Sequence, residues 1–156
     1  MNGVSQFAGR KSVAPEECFR TADAAPADAA IALDGADGCI ADARSRTWEF
    51  LTRAESEQGL RVPARTLELA QLVVSELVTN ALKYAPGPVL LRLGVAGDTM
   101  KIEVWDTDPT LPLARVTDAG RVGQHGLEIV LAVVQGFEAR REPVGKRVTA
   151  RLALFG

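Results

Sequence analysis

The most constraining feature of this chain is a change of hydrophobic period at Pro86-Gly87-Pro88. Before it, Leu67, Ala70, Val73, Val74, Leu77, Val78, Ala81 and Leu82 recur at helical intervals and give a helix opened by Val62-Pro63-Ala64 a wide apolar face. After it, Val89, Leu91, Leu93 and Val95 alternate with their neighbours. Following a Gly97-Asp98 turn, Met100, Ile102, Val104 and Asp106 do the same. Period two on both sides of a tight turn predicts a β-hairpin. A long one-faced helix running into a hairpin must cover one face of the sheet it enters.

The flanking segments extend this pattern. Ile40, Ala43, Thr47, Phe50, Leu51 and Ala54 predict an earlier helix, with Asp37 as a cap, Trp48 covering its flank and Gly59 at its stop. A short strand is expected at Ala29 to Leu33. Thr107 to Gly123 lacks periodicity and reads as a long loop of the kind that forms lids or binding segments. A third helix is expected over Gly126 to Gln135. Phe137 to Glu142 and Arg147 to Phe155 then form a closing hairpin, with Val148, Ala150, Leu152 and Leu154 alternating on its last strand. The sum is an α+β two-layer sandwich, a mostly antiparallel sheet covered on one face by helices. Residues 1–30 read as a flexible extension and 31–156 as the folded domain.

Composition narrows the function classes. The 156 residues are 47% hydrophobic, enough to bury a core, and the formal net charge of -2 lacks the basic field of a general nucleic-acid binder. The local cluster Arg140, Arg141, Lys146, Arg147 and Arg151 reads as a solvated sheet edge. Cys18 and Cys39 have neither metal-site spacing nor a disulfide pattern, and no apolar run reaches membrane-spanning length, so a cytoplasmic protein is expected.

Three groups of residues could carry chemistry. Glu76, Asn80 and Lys83 share one helix face. They are either its solvent side or a pair of oxygen donors for a hard cation such as Mg²⁺ with a phosphate-neutralising lysine. Asp106, at a strand end, is either a turn-opening aspartate or an acceptor for an exocyclic amine. Gly120, Gly123 and Gly126 precede or open a helix, where bare N–H groups attract phosphate. His125 lies among them, as a phosphate contact or a solvent-exposed loop residue. No GxSxG elbow gives it a serine partner.

In their order along the chain these segments resemble the GHKL ATPase superfamily, and within it the stand-alone anti-sigma-factor kinases. Val74-Ser75-Glu76-Leu77-Val78-Thr79-Asn80-Ala81-Leu82-Lys83-Tyr84-Ala85 is similar to the family's N box. Val104-Trp105-Asp106 resembles its adenine-binding strand, Gly123-Gln124-His125-Gly126-Leu127-Glu128-Ile129-Val130 its glycine lid, and Gly145-Lys146-Arg147-Val148-Thr149-Ala150 its last strand. The resemblance spans roughly 31–155. It implies Asn80 as a Mg²⁺ ligand, Glu76 as general base, Lys83 as a phosphate or rim contact, and Asp106 on the adenine amine. It further implies Gly123 and Gly126 around the phosphates, with His125, Leu127 and Thr149 as additional nucleotide contacts. The implied protein binds ATP and ADP with Mg²⁺. It binds a sigma factor and phosphorylates an anti-anti-sigma antagonist, acting on neither nucleic acid nor membrane, and relatives often form homodimers. The alternative is an interaction module of weak catalysis whose nucleotide state sets partner affinity. Departures from the pattern are Asp106-Thr107-Asp108-Pro109-Thr110, which lacks the usual glycines, His125 before the lid's last glycine, and Arg147 where the family carries a threonine.

Overall fold

The computed structural model describes residues 27–84, 87–106 and 122–155. The elements run β1 (Ala27–Leu33), α1 (Cys39–Gln58), α2 (Ala64–Tyr84), β2 (Val89–Ala96), β3 (Thr99–Asp106), α3 (Val122–Val133), β4 (Gly136–Arg141) and β5 (Lys146–Ala153). The five strands form one sheet in the order β1-β2-β3-β5-β4, every neighbouring pair antiparallel. This is the expected α+β architecture. β1 begins at Ala27, so residues 27–30 belong to the sheet rather than to an extension; residues 1–26, including Cys18, lie outside the described part.

Strand alternation sends Leu91, Leu93, Met100, Ile102, Val104, Val148, Ala150 and Leu152 to the helix-covered face. There they meet Val73, Val74, Leu77 and Val78 of α2 in one core. α2 is the central helix, packed between α1 and α3 and lying across β2, β3 and β5. Its apolar stripe is wide enough to serve these neighbours at once, which is why the sequence signal is strongest here. α1 is tied to it by Gln71 Nε2 donating to Arg44 O at 3.0 Å.

Several local expectations change. Asp37 does not cap α1: the N-cap position is Gly38, at φ 89°, with no side-chain cap. The turn before it is held instead by Asp34 Oδ1, which accepts from Ala36 N at 2.9 Å. Gly59 does end α1 in the left-handed conformation, φ 68°. Trp48 stays half exposed at 47% rather than covering the helix flank. The Cys39 thiol at the start of α1 is buried, and burial pushes its pKa up. A backbone hydrogen bond from Gly35 opposes the shift, while the charges of Asp34, Asp42 and Asp37 add to it.

Helix α3 begins at Val122, four residues before the expected start at Gly126, and ends at Val133, before Gln135. The expected loop from 107 to 123 therefore stops by Arg121, and its residues 107–121 lie outside the described part. No described helix is long and apolar enough to cross a membrane.

Candidate functional site

On α2 the polar stripe rises out of the core at Glu76 and Asn80, both half-buried, and reaches Lys83, which is exposed in the last helical turn. At Glu76 the cover comes from α3, which crosses α2 at this level. The crossing is close. A methyl group placed on Gly126 would overlap Glu76 Oε1 and lie 3.2 Å from its Cδ. Glycine here lets the α3 backbone come down onto the Glu76 carboxylate without displacing it.

The early start of α3 changes which backbone groups face a ligand. The first N–H groups of a helix have no intrahelical acceptor, and within α3 they belong to residues 122–124, a set that includes Gly123. Gly126 follows them, and in a regular helix its own N–H is directed to the carbonyl four residues back. Its described role is contact with Glu76. His125 lies in the helix rather than in a loop, and its side chain and those of 122–124 are outside the described part. Leu127 is buried at 4% exposure.

At the far end of β3, Asp106 is almost wholly buried and paired. Lys146 Nζ donates to Asp106 Oδ2 at 2.8 Å, and the two side chains are 2% and 1% exposed. They are direct partners in the β3–β5 register and both project to the helix-facing side. Removing one member of such a pair leaves an uncompensated buried charge, at a cost of about 3–5 kcal/mol. The expectation of a solvated basic edge fails for Lys146, because β5 is an interior strand and residue 146 shares the parity of Val148, Ala150 and Leu152. That parity is readable from the sequence; it is the signal that would have singled Lys146 out.

Thr149 has the opposite parity. It projects from the face away from the helices, its hydroxyl 3.4 Å from Glu103 Oε2. Arg147, also on this outer face, approaches Glu103 at 3.7 Å and Glu142 at 3.0 Å, with its guanidinium 5.8 Å from the Trp105 ring centre. A strand cannot aim residues 146 and 149 at the same face, so Thr149 is separated from Glu76, Asn80 and Asp106.

The structure thus makes two groupings, Glu76 with Gly126 and Asp106 with Lys146. Among the described residues no hydrogen bond or ion pair joins them. A largely apolar cavity of about 310 Å³ opens beside Asp106, walled by Leu33, Val89, Leu90, Trp105 and Val144 among others, with no residue of α2 or α3 in its lining. Trp105 Nε1 closes one rim by donating to Val144 O at 3.1 Å.

The model of the histidine kinase-like ATPase domain matches residues 41–152, from the first turn of α1 to the end of β5. The chain belongs to the histidine kinase-like ATPase family. Membership implies nucleotide binding. The family match covers α2, β3, α3 and β5 together, so both groupings fall inside it. Among solved structures, the RsbU and RsbW domains of Rv1364c from Mycobacterium tuberculosis align with a TM-score of 0.61 over 81% of this chain at 17% identity. The chain spans 32% of that structure's length, and the likeness is one of fold. A search of curated proteins found no match.

The donors present suit magnesium held jointly with phosphates. Glu76 and Asn80 offer oxygen ligands one turn apart, whereas the described residues contain no cluster of three or more His, Cys, Asp or Glu that would hold a metal alone. Magnesium commonly takes one or two protein oxygens and completes its shell with phosphate and water.

Proposed function

We propose that this histidine kinase-like ATPase domain binds Mg-ATP and acts as a protein serine/threonine kinase of the anti-sigma-factor type. It controls a transcription factor partner by binding it and by phosphorylating its antagonist. The observation that carries the reading is the close approach of Gly126 to the Glu76 carboxylate. It sets the start of α3, with its unpaired N–H groups, beside the acidic and amide face of α2, the juxtaposition that a triphosphate and its cation require. Asn80 is the cation ligand and Glu76 the group that accepts the proton of an attacking hydroxyl. Bound magnesium would neutralise charge on the phosphates. The N–H groups of 122–124, Gly123 among them, receive the phosphates. Asp106 accepts from the adenine amine, and Lys83 lies at the rim.

Titration calorimetry with Mg-ATP and Mg-ADP tests the binding half. Asp106→Asn keeps an acceptor for Lys146 while losing the charge that faces the amine; it should weaken binding about 10–100-fold, the worth of one charge-assisted hydrogen bond. Asn80→Ala should abolish the magnesium dependence. Unchanged binding in both variants would put the nucleotide elsewhere. The absence of glycine in Asp106-Thr107-Asp108-Pro109-Thr110 favours a second reading, a nucleotide-gated interaction module with little catalysis. Phosphate transfer to a candidate antagonist, lost in Glu76→Gln, separates the kinase from the module.

A further inference from the structure

We infer that the sheet face turned away from the helices is a protein-docking surface, fitted to an acidic segment of a partner that carries an apolar anchor side chain. The four strand registers align Ala32, Leu90, Trp105, Arg147 and Arg140 in one row across that face. The row is apolar over β1, β2 and β3 and cationic over β5 and β4. The next row, Ala30, Arg92, Glu103, Thr149 and Glu138, mixes polar groups of both signs, as the solvated side of an antiparallel sheet ordinarily does. The first row departs from that pattern. Its apolar half is continuous with the cavity of about 310 Å³, whose wall includes the exposed Val144. Trp105 is 36% exposed, and its one side-chain donor is already given to Val144 O, so what the ring shows to solvent is hydrocarbon. The ring is also held in place, because the guanidinium of Arg147 beside it is tied to Glu142 at 3.0 Å. A fixed aromatic ring at an open apolar cavity is the arrangement on which interface energy concentrates.

The cationic half sets the chemistry of the partner. Arg140 and Arg147 stand directly opposite each other across β4 and β5, where like charges repel. The acids beside Arg147 are sunk below the surface: the side chains of Glu103 and Glu142 are 11% and 15% exposed, whereas Arg140 is open to solvent. The charge offered outward is therefore positive, and carboxylates arriving over the two arginines relieve their repulsion. Neighbouring strands lie about 4.8 Å apart, and Arg140 is two strands from Trp105. The matching acid thus sits about 10 Å from the anchor, roughly three residues of extended chain. A nucleic acid fits less well, since the chain has a net charge of -2 and lacks the basic field such ligands need.

The probe is the peptide acetyl-Leu-Phe-Ser-Asp-Asp-amide, read by Trp105 fluorescence in a Trp48→Phe background. It should bind at least about tenfold more tightly than acetyl-Leu-Phe-Ser-Lys-Lys-amide. Arg140→Glu, an exposed change on an edge strand, should remove that preference. Val144→Asp, which sets a carboxylate at the cavity rim and leaves the carbonyl that accepts from Trp105, should weaken the acidic peptide about tenfold. Urea unfolding checks that both variants are folded. Absence of saturable binding of the acidic peptide up to about 1 mM would overturn the inference, as would equal binding of the two peptides or an undiminished preference in folded Arg140→Glu. Two further results would overturn it by giving the face another occupant: tighter binding of oligothymidylate than of the acidic peptide, or a dimer in sedimentation velocity that Val144→Asp dissociates.

Discussion

Single side chains divide here into those that hold the fold and those set aside from it. Gly126 shows how to tell them apart. A methyl on its Cα meets only the far end of Glu76, a side chain able to swing away, and alanine is favoured over glycine in a helix by about 1 kcal/mol. Gly126→Ala should therefore fold with stability within about 1 kcal/mol of wild type in urea unfolding. On the proposed kinase reading, displacing the Glu76 carboxylate should nevertheless lower phosphoryl transfer by at least about tenfold, an amount that about 1.4 kcal/mol of lost positioning produces. Intact transfer in a folded variant would mean that the position of Glu76 does not matter. The Thr47 hydroxyl stands on the other side of the division. It is buried, donates to Ala43 O at 2.8 Å, and serves only to satisfy itself inside α1.

Among elements, the connections set the register of the layers. Gly35, between β1 and α1, has φ 81°, and a Cβ there would come within 2.5 Å of Gly87 O in the connection between α2 and β2. The two loops touch backbone to backbone, so the end of β1 is fixed against the start of β2, where Leu33 pairs with Val89. Gly35→Ala would combine a left-handed backbone with this overlap. It should cost about 1–3 kcal/mol in chemical denaturation, and a neutral result would show that the loops separate readily. A similar lock acts at the other end of the sheet, where Leu154 N donates to Asp98 O at 2.9 Å and ties the C-terminal strand to the β2–β3 turn.

At the scale of the molecule, one core joins α1, α2, α3 and strands β1, β2, β3 and β5, with Phe137 and Ala139 of β4 packed against it, while Glu76, Asn80 and Asp106 stand at its margins. Leu91 lies in the middle of that core with no exposed surface, on the strand between β1 and β3. Leu91→Ala should lower unfolding stability by about 2–5 kcal/mol. Because no second core exists among the described residues to hold out independently, the loss should appear as an earlier single transition by both far-ultraviolet circular dichroism and tryptophan fluorescence. Two separate transitions would contradict a single cooperative unit.

The amino-acid order alone determined the elements whose periodicity is enforced by burial on one face: α2 with its unbroken apolar stripe, the β2–β3 hairpin, and the α+β class that follows from joining them. It also brought Glu76 and Asn80 onto one helical face, because that needs only 3.6 residues per turn. Tertiary structure decided what local spacing cannot express. The start of α3 at Val122 lies in a segment with three spaced glycines and no strong local preference, and the descent of Gly126 onto Glu76 is a contact between residues fifty positions apart along the chain. Lys146 and Asp106 meet for a related reason. Parity puts each on the inner face, but only the return of β5 between β3 and β4 makes them neighbours, and a pairing set by strand order has no local signature.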